Sequence, residues 1–110
     1  MSVKTITVPL FRSAMIALDH DEADDFDLME FTLSDSEFYQ LWSSGFFAAV
    51  NAGLGTLIGD FEDEKIIDPA KLVELAKIIA NHNERSAPVV QIERLVRCAI
   101  EQQTGVFFFF

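Results

Sequence analysis

A chain of 110 residues, half of them apolar, has the means to build one compact domain, which excludes a disordered acidic tail. Its 18 Asp and Glu against 8 Lys and Arg give a formal charge of -10. That balance excludes a general nucleic-acid binder, because phosphate binding needs a basic face, and it weighs against docking on anionic membranes. The single cysteine, Cys98, excludes an internal disulfide framework and a cysteine-based zinc site.

In chain order, Val3 to Val8 alternates, with Ile6 and Val8 on one face and Thr5 and Thr7 on the other, and predicts a strand. Pro9 ends it or marks an edge. This polar-apolar start is not a signal peptide, and no apolar run approaches the roughly 20 residues of a membrane span, so a cytoplasmic protein is expected. Ala14 to Leu18 is apolar and is a candidate second strand, although its length leaves a helix open. An acidic loop follows. Leu28 to Leu33 alternates again, with Met29, Phe31 and Leu33 inward.

Ser34-Asp35-Ser36-Glu37 has the S-x-x-E pattern of a capping box, and Phe38, Leu41, Trp42, Gly45, Phe46, Ala49 and Val50 follow at helical spacing. Gly45 kinks this helix or splits it in two, and Gly53-Leu54-Gly55 stops it. Thr56 to Ile58 is a short extended candidate. Asp68 and Pro69 start a helix with the stripe Leu72, Leu75, Ala76 and Ile79. Ser86 and Pro88 start the last one, with the stripe Ile92, Leu95, Val96, Ala99 and Ile100, ending at Gly105. The terminal Val106-Phe107-Phe108-Phe109-Phe110 reads as a strand buried on both faces, because four consecutive rings cannot share one face. The alternative is an exposed partner or dimer patch. The expected architecture is α+β: a small mixed or antiparallel sheet of three to four strands with about three packed helices, in one domain covering 1–110.

The charge is unevenly placed. From Ser13 to Glu64 there is no Lys or Arg and there are 13 acids, against +2 before and +1 after. Two runs dominate: Asp19-His20-Asp21-Glu22-Ala23-Asp24-Asp25-Phe26-Asp27 and Asp60-Phe61-Glu62-Asp63-Glu64. With no local base, their field projects outward and would steer a cationic partner. The bland alternative is a pair of solvated loops. The candidate binding residues are Asp19, Asp21, Glu22, Asp24 and Asp25 in the first run, and Asp60, Glu62, Asp63 and Glu64 in the second. Tyr39, Phe26 and Phe61 are candidate aromatic anchors, with core residues pinning their loops as the alternative for the two phenylalanines.

No reaction is announced. A calcium loop starting at Asp19 fails at Ala23 and at Asp24, where glycine is needed, and one starting at Asp60 fails at Lys71. His20 and His82 have no ligand companion one helical turn away, so no metal or cofactor is expected. Cys98 lies beside an apolar stripe and reads as a half-buried apolar residue. Gly53 to Gly59 lacks the spacing of a phosphate loop and is followed by Asp60.

Phe38-x-x-Leu41-Trp42-x-x-Gly45-Phe46-Phe47-x-x-Val50-Asn51, then Gly55-Thr56-Leu57-Ile58-Gly59-Asp60-Phe61-Glu62-x-Glu64-x-Ile66 and the Leu72/Leu75/Ile79 helix resemble small acidic immunity proteins of bacterial polymorphic toxins, including those of contact-dependent growth inhibition systems. The resemblance covers a little under half the chain, and its elements are mostly core and turn residues. It implies a non-enzymatic cytoplasmic antidote, a monomer or weak dimer, that binds and neutralises a basic toxin domain such as a nuclease. A small regulatory or oligomerisation module, or a metal-binding enzyme domain, is the alternative. No catalytic residues carry over from such a family.

Overall fold

The computed structural model describes residues 3–110. Its elements run β1 (Lys4–Pro9), α1 (Arg12–Asp19), a short 3-10 turn (Asp25–Asp27), β2 (Leu28–Leu33), α2 (Asp35–Ser43), α3 (Phe46–Leu54), β3 (Asp63–Ile66), α4 (Pro69–Ala80), α5 (Ala87–Gln102) and β4 (Val106–Phe109). The fold is α+β, with five α-helices and one antiparallel sheet ordered β2-β1-β4-β3.

The phenylalanine strand is interior. β4 pairs with β1 on one side (Ile6 opposite Phe108) and with β3 on the other (Glu64 opposite Phe108). Its alternate side chains therefore need cover on both faces. Ile6, Val8, Ile66, Val106, Phe108 and Phe110 join the main core with residues of α2 to α5. Phe107 and Phe109 stack on the opposite face, with ring centroids 6.1 Å apart. There Phe107 is buried, as are Thr7 of β1 and Ala14 of α1, none of which belongs to the main core. The sheet thus carries four helices on one face and α1 on the other.

Local chemistry explains most boundaries. The capping box is complete: the Glu37 amide donates to Ser34 Oγ at 3.1 Å, and the Ser34 amide donates to Glu37 Oε1 at 2.9 Å. Asp68 caps α4 through the Ala70 amide at 2.9 Å, with Pro69 in the first turn. Gly45 adopts φ +79° and splits the predicted long helix into α2 and α3. Ser86 is the N-cap of α5 by position but makes no side-chain cap bond. Gly105 lets β4 pass close to β3: a Cβ there would lie 2.9 Å from the Ile66 carbonyl oxygen.

Several expectations are corrected. Ala14 to Leu18 is part of a helix, not a strand, in keeping with the helix-forming Ala, Met and Leu at Ala14, Met15, Ala17 and Leu18. The fourth strand is instead Asp63–Ile66, which begins within the second acidic run. Its polar residues hide it from a hydrophobic pattern, but an edge strand needs only its backbone to pair. Thr56 to Ile58 is loop. Among the described residues there are five helices where about three are expected, because Ala14 to Leu18, open to strand or helix in sequence, lies in α1, and Gly45 splits the run from Phe38 to Val50 in two. In β2, Met29 and Phe31 face the core side as expected, yet Met29 is exposed because β2 is the other edge.

Removing Phe107 to Phe110 takes away the strand that joins β1 to β3. The expected outcome is loss of the cooperative thermal transition by circular dichroism; an unchanged melt would contradict an interior β4.

Candidate functional site

Helix α1 ends in a Schellman arrangement that aims the first acidic run. The Glu22 amide donates to the Ala17 carbonyl at 2.8 Å and the Asp21 amide to the Leu18 carbonyl at 3.1 Å. Glycine is the usual occupant of the left-handed position in this motif, and here it is Asp21, with φ +56°. The chain then turns across the sheet toward the 3-10 turn, where Asp24 Oδ1 accepts from the Phe26 amide at 3.1 Å. The Leu10 amide, donating to the Asp27 carbonyl at 2.9 Å, ties the loop end to the end of β1.

This path leaves an acid-walled trough on the face of the sheet that α1 covers. One hollow of about 340 Å³ lies between Asp19 and Asp21 on one wall and Asp63, Glu64 and Lys65 on the other, floored by Phe107 and Phe109. A second, of about 330 Å³, shares Leu18, Asp21 and Phe109 and is bordered by Asp25 and Glu30. The two acidic runs therefore meet in space. Lys65 Nζ bridges them with an ion pair to Asp19 at 2.8 Å. Glu30, opposite Thr7 in the sheet, was not among the expected residues; its place on the polar face of β2 is the signal that could have found it.

The second run divides. Asp63 faces the trough, while Glu64, opposite Phe108, points to the other face of the sheet and accepts from the Leu57 amide at 3.2 Å. Asp60 turns to the sheet end, where it pairs with Lys4 Nζ at 2.8 Å. Lys4 is 7% exposed, and a buried ammonium needs such a partner. Its Nζ lies 4.8 Å from the Phe38 ring centroid and 5.6 Å from that of Phe61. The loop before this run hangs on Asn51. That side chain donates to the Ile58 carbonyl at 2.9 Å, and its Oδ1 accepts from the Ile58 amide at 2.8 Å and the Thr56 hydroxyl at 2.7 Å.

The remaining expected residues are dispersed. Glu22, Asp24 and Glu62 are exposed but none lines either hollow. Tyr39 is exposed on α2 in a separate polar hollow with Gln40, Ser43 and Glu84. Phe26 and Phe61 do not pin their loops into the core: they are 91% and 78% exposed. Among the described residues, no three His, Cys, Asp or Glu side chains gather as metal ligands would. The acids form a spread field rather than a chelate. His82 abuts the Phe46 ring edge-on and lies 3.4 Å from Ser44 Oγ, while His20 closes α1 in solvent. The Cys98 thiol is raised above its ordinary pKa by burial and then by the Glu101 carboxylate, which holds it in the unreactive protonated form. Among the described residues, no helix is long and apolar enough to cross a membrane.

No protein-family model matches the chain, and no curated protein matches it in sequence. Among solved structures it is similar to the Neisseria DNA mimic protein DMP12, with a TM-score of 0.69 and 14% identity, the alignment covering 100% of each chain. That likeness is one of fold.

Two substitutions test how the site is held. Asp21→Gly places the usual residue in the left-handed position; its melt should be unchanged or stabilised by up to about 1 kcal/mol, and a lower melting temperature would mean the carboxylate itself holds the turn. Asn51→Ala leaves the buried Ile58 amide and its carbonyl unpaired, and should cost about 2–4 kcal/mol in denaturant unfolding.

Proposed function

We infer that this chain is a non-enzymatic binding module whose acidic face occupies the basic, phosphate-binding surface of a protein partner. The observation that carries the reading is the trough, in which acids from two distant segments border one open face: Asp19, Asp21 and Asp25 from one and Asp63 from the other, with Glu64 next to it on the strand. Glu30 extends the border, and among the described residues Lys65 is the one base that lines it. A partner's Lys and Arg side chains would meet this face as they meet phosphates, with long-range attraction speeding the encounter. The whole-chain likeness to a protein described as a DNA mimic supports the same reading.

The finer form, suggested by the resemblance over 31–79, is an immunity protein. The partner would be a cognate toxin domain, probed first as a nuclease with a basic active-site face, and the antidote would act in the cytoplasm as a monomer or weak dimer. The contact residues would be Asp19, Asp21, Asp25 and Asp63 at the trough, flanked by Glu22, Asp24, Asp60, Glu62 and Glu64. Tyr39 belongs to this reading only if the partner also wraps α2.

The test is a variant with Asp21→Asn, Asp25→Asn, Glu30→Gln and Asp63→Asn, all exposed positions. The native chain should protect cells against the toxin encoded beside it and hold that toxin in a complex weakened by salt and displaced by duplex DNA. The variant should bind at least about tenfold more weakly and fail to protect. Undiminished binding, or a complex that duplex DNA does not disturb, would overturn the acidic-face account.

A further inference from the structure

The sheet end beside the trough carries apolar surface that the fold does not use. Trp42 is 51% exposed and Phe61 78%. The two belong to one corner. Trp42 stacks on Phe38 at 6.1 Å between centroids, Phe38 and Phe61 share the Lys4 ammonium, and a Cβ at Gly59 would lie 3.9 Å from both the Trp42 ring and the Glu62 stem. Asp60, which pairs with Lys4, and the exposed Glu62 flank Phe61 in sequence.

Phe61 is also held out against its own preferences. Its φ is +63°, a left-handed conformation that a bulky residue rarely adopts. The Phe61 amide donating to the Phe110 carbonyl at 3.2 Å and the ion pair of the preceding Asp60 with Lys4 hold the chain there. The corner already shows which chemistry it suits. Lys4 Nζ sits against one carboxylate at 2.8 Å and two aromatic rings at 4.8 and 5.6 Å, a cation with both a charge partner and π faces.

We propose that Phe61 and Trp42, with Asp60 and Glu62, form an arginine-reading corner that docks a guanidinium of the basic partner. A planar guanidinium stacks on an aromatic face while its N–H groups reach a carboxylate, which a lysine ammonium does less well. The charge complementarity is explicit: the aromatic surface adjoins the segment that has 13 acids and no base. The corner and the trough share the Asp60–Glu64 run, so one basic surface can touch both. This inference rests on the acidic-face reading and adds to it a preference between cations that a charge field alone lacks.

The experiment uses the full chain with labelled oligo-arginine and oligo-lysine peptides of equal length. Binding is read by anisotropy, and occupancy of the corner by the emission of Trp42, the single tryptophan. The arginine peptide should bind at least about fivefold tighter and shift the Trp42 emission, while the lysine peptide binds without that shift. Phe61→Gly suits the left-handed backbone and should keep the native melt; Phe61→Leu keeps apolar bulk without a π face. Both should bring arginine affinity down to the lysine level and leave lysine affinity unchanged. Equal affinities in the native chain, or an arginine preference that survives Phe61→Gly, overturn the corner while leaving the acidic face standing. Failure of both peptides to bind overturns the acidic face and the corner with it.

Discussion

The fold depends on a strand that must be covered on both faces. β4 presents Phe108 to one side of the sheet and Phe107 and Phe109 to the other, so a single helical layer cannot bury it. Four helices cover the Phe108 face. The opposite face has only α1, eight residues long, and it buries Phe107 while leaving Phe109 partly open. Because the cover is short, the chain leaving α1 crosses the uncovered remainder of that face. That crossing segment is the first acidic run. The trough is thus a by-product of incomplete burial, and its floor is the aromatic strand itself.

The second acidic run reaches the same place by pairing. β4 needs a neighbour on the side away from β1, and Asp63–Ile66 supplies the backbone for it. Once that strand is in register, Asp63 and Lys65 fall on the face of Phe107 and Phe109, beside Asp19 and Asp21. Two stretches more than thirty residues apart in sequence are brought together by the hydrogen-bonding demand of one interior strand. The Lys65–Asp19 pair is exposed, and such pairs contribute little stability; it marks the meeting more than it causes it.

What could be read from residues alone follows how local each signal is. Ser34 with Glu37, Asp68 with Pro69, the helical stripes and the all-phenylalanine strand are short-range patterns, and their elements lie where the patterns place them, although Trp42, Ala49 and Ile100 of the helical runs are exposed and Phe47 is buried instead. α1 was ambiguous because five apolar residues fit either period. β3 was invisible because Asp-Glu-Lys-Ile has no apolar alternation and its assignment depends on a partner forty residues away. The concentration of acids was plain in composition, but whether the runs share a surface is a question of topology. The placement of Asp21 and Phe61 has a related reason: a left-handed backbone at a residue other than glycine leaves no trace in sequence, and it bears on where both side chains point.

The edge position of β3 has a consequence for how such a chain stays dispersed. A run of four phenylalanines is the kind of segment that templates intermolecular sheet growth when its backbone is open. Here it is never an edge. The strand between it and solvent reads Asp63-Glu64-Lys65-Ile66, and an incoming strand at that border would have to pack its side chains against a file of charges. The charges on this border strand therefore act as gatekeepers against self-assembly, so the sequence of β3 answers to colloidal stability as well as to strand pairing.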